Sequence, residues 1–203
     1  IALAYAAANA AQVLGTAPDR VVVDASGSII KNVKSVIVPN TGHLKGINAA
    51  VTAGIVAGNP DKQLEVIAQV SPEQIQQMKQ FMEDVPIEIE HLAGGCKFDI
   101  IVTVYHGEDY AKVRIANYHT NIVLVEKNGK VLRSEAVSDD SEDGLTDRTL
   151  LDMEHIWDFA TTVDISDVKE LLDQQISCNV AIAEEGLKND YGANIGKVLL
   201  DMD

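Results

Sequence analysis

Aromatic residues are scarce. They make up 4% of the 203 residues, with a single tryptophan, so aliphatic side chains and alanine must fill the interior. The 46% hydrophobic content is enough for a sizeable core. Basic residues are also few: 16 Lys and Arg against 31 Asp and Glu give a net charge of −15. That field repels phosphate backbones and anionic lipid, which argues against nucleic acid or a membrane as partner. Two cysteines, Cys96 and Cys178, cannot build a disulfide framework. Neither has a C-x-x-C neighbour, so this stretch alone encloses no zinc or iron–sulfur cluster, and a reduced, cytoplasmic setting is expected. No apolar run is long enough to span a bilayer, and no signal-peptide pattern, internal repeat or low-complexity tract is present. P-loop, dinucleotide, H-E-x-x-H and G-x-S-x-G signatures are lacking as well.

What is there reads as α+β. Residues Ile1–Leu14 are helix formers ended by Gly15 and Pro18. Arg20–Asp24 and Val33–Val38 read as two short strands. Between Lys45 and Gly58 small residues dominate, which suits a tightly buried helix approached closely by another backbone. Asp61–Val70 and Ser71–Asp84 read as helices, the second opened by the capping box Ser71-Pro72-Glu73-Gln74. At Pro86 the period changes to two. Ile87–Glu90, Phe98–Tyr105, Tyr110–Ala116, Ile122–Glu126 and Val131–Val137 then form an antiparallel meander of about four or five strands. Asn128-Gly129 marks a type I′ hairpin. Ser138–Asp158, with eight acids and one base, reads as a solvated loop and helix face. A helix capped at Asp164 or Ser166 comes next, with Val168, Leu171, Leu172, Ile176 and Val180 on one stripe. The expected organisation is one α+β domain over 1–203: 1–85 mostly helical with two short strands, 86–137 the meander, and 145–203 helical, so that helices from both ends of the chain pack with the sheet. The opening on Ile1 inside a helical pattern, and the end at Asp203 without a stop signal, suggest cuts in a longer protein.

Two polar stretches next to apolar strands are candidate ligand contacts. His119-Thr120-Asn121 packs an imidazole, a hydroxyl and a carboxamide between two strands. These are poor core material, because each needs a hydrogen-bond partner if buried. His119 suits proton transfer or carboxylate binding. The same triplet also suits a strand connection whose polar groups serve its own backbone. Lys31-Asn32 and Asn40-Thr41-Gly42 form the second group, with Lys31 offering a cation for a carboxylate; on spacing alone an ordinary turn explains them better. Cys178, in mid-helix, reads as a buried, inert cysteine, and Cys96, after Gly94-Gly95, as open to exposure but structural or incidental; His43, His91, His106 and His155 read as surface residues without metal spacing.

Taken in order, these pieces resemble one family. Lys31-Asn32-Val33, Val36-x-Val38-Pro39-x-Thr41-Gly42, Gly46, the Ala/Gly helix and Gly58-Asn59 are followed by His119-Thr120-Asn121-Ile122-Val123. Cys178-Asn179, Glu185-Gly186-Leu187, Gly192 and Ile195-Gly196 complete the series. The chain resembles the first half of the L-cysteine desulfidases, relatives of the α-chain of iron–sulfur L-serine dehydratases. The resemblance implies a lyase that works without pyridoxal phosphate and β-eliminates L-cysteine, or L-serine, to pyruvate, ammonia and sulfide, or water. It implies a 4Fe–4S cluster held by three cysteines. In such proteins one cysteine lies just before the point matching Ile1, in a Gly-Cys-Thr-Glu-Pro motif, and the others lie beyond the point matching Asp203. This chain would therefore hold no ligand of the cluster, would be inactive alone and would need the C-terminal half of the same protein. By resemblance and residue type, His119 is the candidate catalytic group, and Thr120, Asn121, Lys31, Asn32, Thr41 and Gly42 are candidate substrate contacts. The alternative is an amino-acid-binding regulatory module without catalysis. Either reading leaves room for a homo-oligomer.

Overall fold

A computed structural model describes residues 1–94, 96–137, 149, 151–190 and 193–202. The chain forms two compact units, Ile1–Glu142 and Asp143–Asp203. The architecture is α+β, as the change of period along the sequence implies.

The first unit is built on a six-stranded mixed sheet. Its strands are β1 (Arg20–Ala25), β2 (Ile87–His91), β3 (Asp99–His106), β4 (Asp109–Ala116), β5 (Ile122–Lys127) and β6 (Lys130–Ser134), in the order β2-β1-β3-β4-β5-β6. From β3 to β6 the sheet is the expected antiparallel meander. The β5–β6 hairpin turns on Asn128 and Gly129, both at positive φ (50° and 78°), as a type I′ turn requires. Ile87–His91 is not part of that meander. It pairs in parallel with β1, which also pairs antiparallel with β3. The alternation Ile87-Glu88-Ile89-Glu90 fixes which face each residue takes but not which strand it meets.

Helix α1 (Ala2–Leu14) lies on one face of the sheet, against β3 and β4, and on its other side it packs against α3 (Gly46–Ala57). A helix covered on two sides needs apolar residues nearly all round and little bulk. That is what ALAYAAANAAQVL provides, and nine of its residues are buried. The sheet contributes Val21, Val23, Ile100, Val102, Val104, Val113 and Ile115 to this core, all at most 1% exposed. Burying one such side chain stabilises the fold by about 1.5–3 kcal/mol relative to exposure. The α1–α3 crossing is very close: a Cβ placed on Gly54 would stand 2.1 Å from the carbonyl oxygen of Ala4. The close backbone approach expected of the Ala/Gly helix is therefore present. Helix α4 (Pro72–Asp84) packs on α3 and starts with the expected capping box. Gln74 N–H donates to Ser71 Oγ, and the Gln74 side chain accepts from Ser71 N–H.

Two expectations fail in the segment between β1 and α4. Val33–Val38 is not a strand. Helix α2 (Gly27–Val33) occupies its start, with Ile29, Ile30 and Val33 half-buried against the core at helical spacing. After this helix comes one antiparallel bridge, Ile37 to Lys45. Pro39 has no N–H to extend the ladder, and Asn40, Gly42 and His43 all take positive φ. Residues 1–85 thus contain one strand of the sheet rather than two. The helix expected over Asp61–Val70 is a 3-10 segment, Pro60–Glu65, interrupted at Gln63 (φ 48°).

The second unit contains α5 (Met153–Thr162), α6 (Ile165–Lys188) and α7 (Ile195–Asp201). Asp152 caps α5 by accepting from His155 N–H, and Asp164 caps α6 by accepting from Ser166 N–H. The His155 N–H holds the Asp152 carboxyl below its ordinary range, and the Ser166 hydroxyl, with the Ser166 N–H, does the same for Asp164. The acidic stretch over 138–148 and residue Gly192 lie outside the described residues. Among the described residues no helix is long and apolar enough to cross a membrane.

Candidate functional site

Strand alternation gives the sheet a second face, turned away from α1, and this face is polar. Arg20 stacks its guanidinium over Tyr105, 3.7 Å from the ring centroid. Tyr110 lies beside Tyr105 and donates a hydrogen bond to the Glu126 carboxylate. That bond is the main cause of a Tyr110 pKa above the ordinary tyrosine value of 10.0. Because the folded value is the raised one, the bond stabilises the protein fully below the unfolded pKa, and its contribution is lost as pH rises through the folded value. In an alkaline titration followed by ultraviolet absorbance, Tyr110→Phe should remove a step that lies above the ordinary tyrosine value of 10.0. Loss of a step at or below that value would contradict the assignment.

At one end of this face the carboxyl ends of β1 and β2 meet the start of β3, the end of β4 and the β4–β5 turn. Ser26 comes directly after β1. Its N–H donates to Asp99 O and its hydroxyl to Lys97 O at 2.7 Å. His91, the last residue of β2, places Nε2 3.3 Å from where a Gly27 Cβ would be. Asp99 opens β3 fully buried and receives a two-pronged ion pair from Arg114, Nε–Oδ1 2.9 Å and Nη2–Oδ2 2.6 Å. The pairing raises the Arg114 pKa above its already high ordinary value, while partial burial acts the other way. The register of β4 on β5 shifts between Arg114 and Ile115. Such irregularities re-aim side chains at the rim of a sheet.

The β4–β5 turn carries His119, Thr120 and Asn121. Asn117, at φ 70°, donates its N–H to Phe98 O. Asn121 closes the turn: its N–H donates to Tyr118 O, and its Nδ2 donates to Ala116 O at 3.0 Å. The Asn121 carboxamide is therefore committed in part to the backbone. His119 is exposed and rests its ring on Phe98, centroids 4.4 Å apart. Among the described residues its ring nitrogens have no protein partner, so the imidazole is open to a ligand or to water.

The second predicted group is divided. Lys31 and Asn32 lie on α2, the short helix that starts from this same end of the sheet, and Lys31 is exposed. Thr41 and Gly42 have other neighbours. Thr41 is fully buried and donates to Val38 O at 2.8 Å, so its hydroxyl serves the turn. A Cβ on Gly42 would sit 3.3 Å from Ile75 of α4. Asn40 beside them donates to Ile67 O at 3.0 Å. These bonds match the ordinary-turn reading of Asn40–Gly42. The residues that sequence reasoning missed at the sheet end are Ser26, His91, Asp99 and Arg114. The signal available for the ion pair was an acid opening one apolar run and a base near the end of the next.

A cavity of about 600 Å³ lies elsewhere, between the C-terminal ends of α1 and α3 and Phe81, with Gln12 and Thr16 among its polar lining. It contains no charged side chain and none of the predicted site residues, so it does not suit an amino-acid zwitterion. The described residues include no group of three His, Cys, Asp or Glu placed to hold a metal. The two cysteines reverse the expectation: Cys96 is buried beside Ala116 and Val123, whereas Cys178 is exposed, because no residue of α6 is buried. Two cysteines are fewer than the three that a cluster of the implied kind takes.

Comparison with known proteins gives one consistent result. A UPF0597 protein of Desulfitobacterium hafniense is 52% identical over 200 residues, covering 98% of this chain and 46% of the relative. A UPF0597 protein of Fusobacterium nucleatum is 44% identical, covering 99% of this chain and 47% of its own length. One from Lachnoclostridium phytofermentans is 41% identical, over 100% of this chain and 48% of the relative. No family model and no solved structure matches. The chain is similar throughout to UPF0597 proteins, and it spans about half the length of the curated relatives it matches.

Proposed function

We propose that this chain is the substrate-side half of an iron–sulfur-dependent lyase that eliminates the β-substituent of L-cysteine or L-serine in a reduced, cytoplasmic setting. Support comes from the ordered motifs that run through the chain. The single observation that carries the reading is the exposed imidazole of His119, held by its ring contact with Phe98 and otherwise open at the polar end of the sheet. A β-elimination removes the proton from Cα and expels the β-substituent. An imidazole changes charge near neutral pH, which suits it to carry that proton. The substrate also brings a carboxylate, for which Lys31 supplies a cation and Asn32 hydrogen-bond donors. Thr120 adds a hydroxyl next to His119. Asn121 sets the turn that positions both, a role its bond to Ala116 O suits. Thr41 and Gly42 act at most through the backbone of their turn.

When bound, the cluster supplies a Lewis-acidic iron for the leaving group. In this reading its ligands belong to sequence outside these 203 residues, and no step is assigned to Cys96 or Cys178. The test is His119→Ala in the full-length protein. Turnover of L-cysteine should fall at least about 100-fold, the usual minimum for loss of a positioned acid–base group, with the circular dichroism spectrum unchanged. Unchanged turnover would remove His119 from the mechanism. Binding of L-cysteine without any product would instead favour the regulatory-module reading.

A further inference from the structure

The first unit buries its apolar residues, and the second buries none among its described residues. Helices α5, α6 and α7 contain no buried residue at all. Trp157 and Ile182 are 71% and 70% exposed, and Leu172, Ile176, Val180 and Leu187 are exposed along α6. Leu151, just before α5, and Ile156 and Phe159 on it border an open apolar hollow of about 330 Å³. Single exposed leucines are ordinary, but exposed apolar surface repeated over three helices is not, and such surfaces mark interfaces. The well-formed caps of α5 and α6 show that the helices themselves are specified, so what is missing is a covering surface.

Gly186 adds an independent pointer. It lies inside α6, three residues before the C-cap Asn189, and a Cβ there would meet nothing within 4 Å. A glycine inside a helix is unfavourable relative to alanine. In this same protein, Gly54 lets the backbone of Ala4 come close. Gly186 has no such neighbour among the described residues. It fits a site where another backbone is due to cross α6.

The length of the curated relatives shows what is available to cover these helices: this chain accounts for only 46–48% of it. We propose that the apolar faces of α5, α6 and α7 form the internal seam onto which the other half of the full-length polypeptide packs, crossing α6 near Gly186. The occupant is thus a segment of the same polypeptide chain rather than a second copy or a membrane. The inference rests on burial and chain length and does not depend on the lyase reading.

The experiment uses the full-length relative of Desulfitobacterium hafniense, which is 52% identical to this chain. Carbene footprinting of the unsubstituted protein should label positions aligned with the apolar face of α6 several-fold less than those aligned with its polar face. A benzophenone amino acid at the position aligned with Ile182 should then cross-link to residues outside the aligned half. In a mixture of light and heavy isotope-labelled protein, those links should stay within one chain. Strong labelling of the apolar face would overturn the proposal. So would light–heavy links, which indicate a second copy, or links confined to the aligned half. Failure of the lyase reading would leave every one of these outcomes unaffected.

Discussion

Gly54→Ala should destabilise the protein by about 3 kcal/mol or more, at the upper end of what overpacking a core costs. On an isolated helix the same change is favourable by about 1 kcal/mol. The sign reverses here because the added methyl would stand 2.1 Å from Ala4 O and 2.8 Å from Ala4 C, and both are backbone atoms. A clash with a flexible side chain is relieved by a rotamer change, but this one requires α1 and α3 to separate. Separation also opens the far side of α1, which packs on β3 and β4. The loss therefore spreads through the core of the first unit. The check is a urea unfolding midpoint for this chain against the wild type, with Gly15→Ala as control. Gly15 is at φ 81° with nothing within 4 Å of an added methyl group, so its change should cost only about 1 kcal/mol of backbone strain. A Gly54→Ala midpoint at or above the wild-type value would contradict the packing described.

Arg114→Ala should cost about 3 kcal/mol, for a different reason. Its loss leaves the Asp99 carboxylate, which is fully buried, without the two hydrogen bonds it accepts. Removing one partner of a buried pair costs about 3–5 kcal/mol, because the remaining charge is left uncompensated. The lower end applies because the Arg114 side chain is 29% exposed and water can reach the vacated space. The double change Asp99→Ala with Arg114→Ala should recover part of the loss, since no orphan charge then remains. Thermal unfolding of the two single variants and the double variant measures this. A double variant as unstable as the sum of the singles would show that the pair is not coupled.

Much of the fold is legible in the sequence because periodicity reports burial. The Ala-rich run of α1, the small residues of α3, the Ser71 capping box and the Asn128-Gly129 hairpin all stand where the local chemistry puts them. Pairing partners are another matter. Ile87–His91 has the alternation of any strand, and its parallel union with β1 depends on how α2, α3 and α4 fill the connection. Val33–Val38 misleads because Ile29, Ile30 and Val33 complete a helical face that reaches into it from the N-terminal side.

The candidate site is legible in part. His119 stands out because an exposed imidazole sits in a turn between two apolar strands. Asn121 carries the same kind of signal, yet its side chain bonds to Ala116 O. Thr41 looks equally available and spends its hydroxyl on Val38 O. A polar residue next to a strand offers the same functional group whether a ligand or its own backbone uses it, and only the folded partners separate the two. The Asp99–Arg114 pair escapes notice because its members are 15 residues apart in the chain and meet through strand register.

The lyase proposal is tested most directly by anaerobic assay of sulfide and pyruvate release from L-cysteine by a full-length protein carrying this half, with its iron–sulfur cluster reconstituted. Both products are expected in equal amounts. Absence of both, with L-serine also inert, would contradict the proposal.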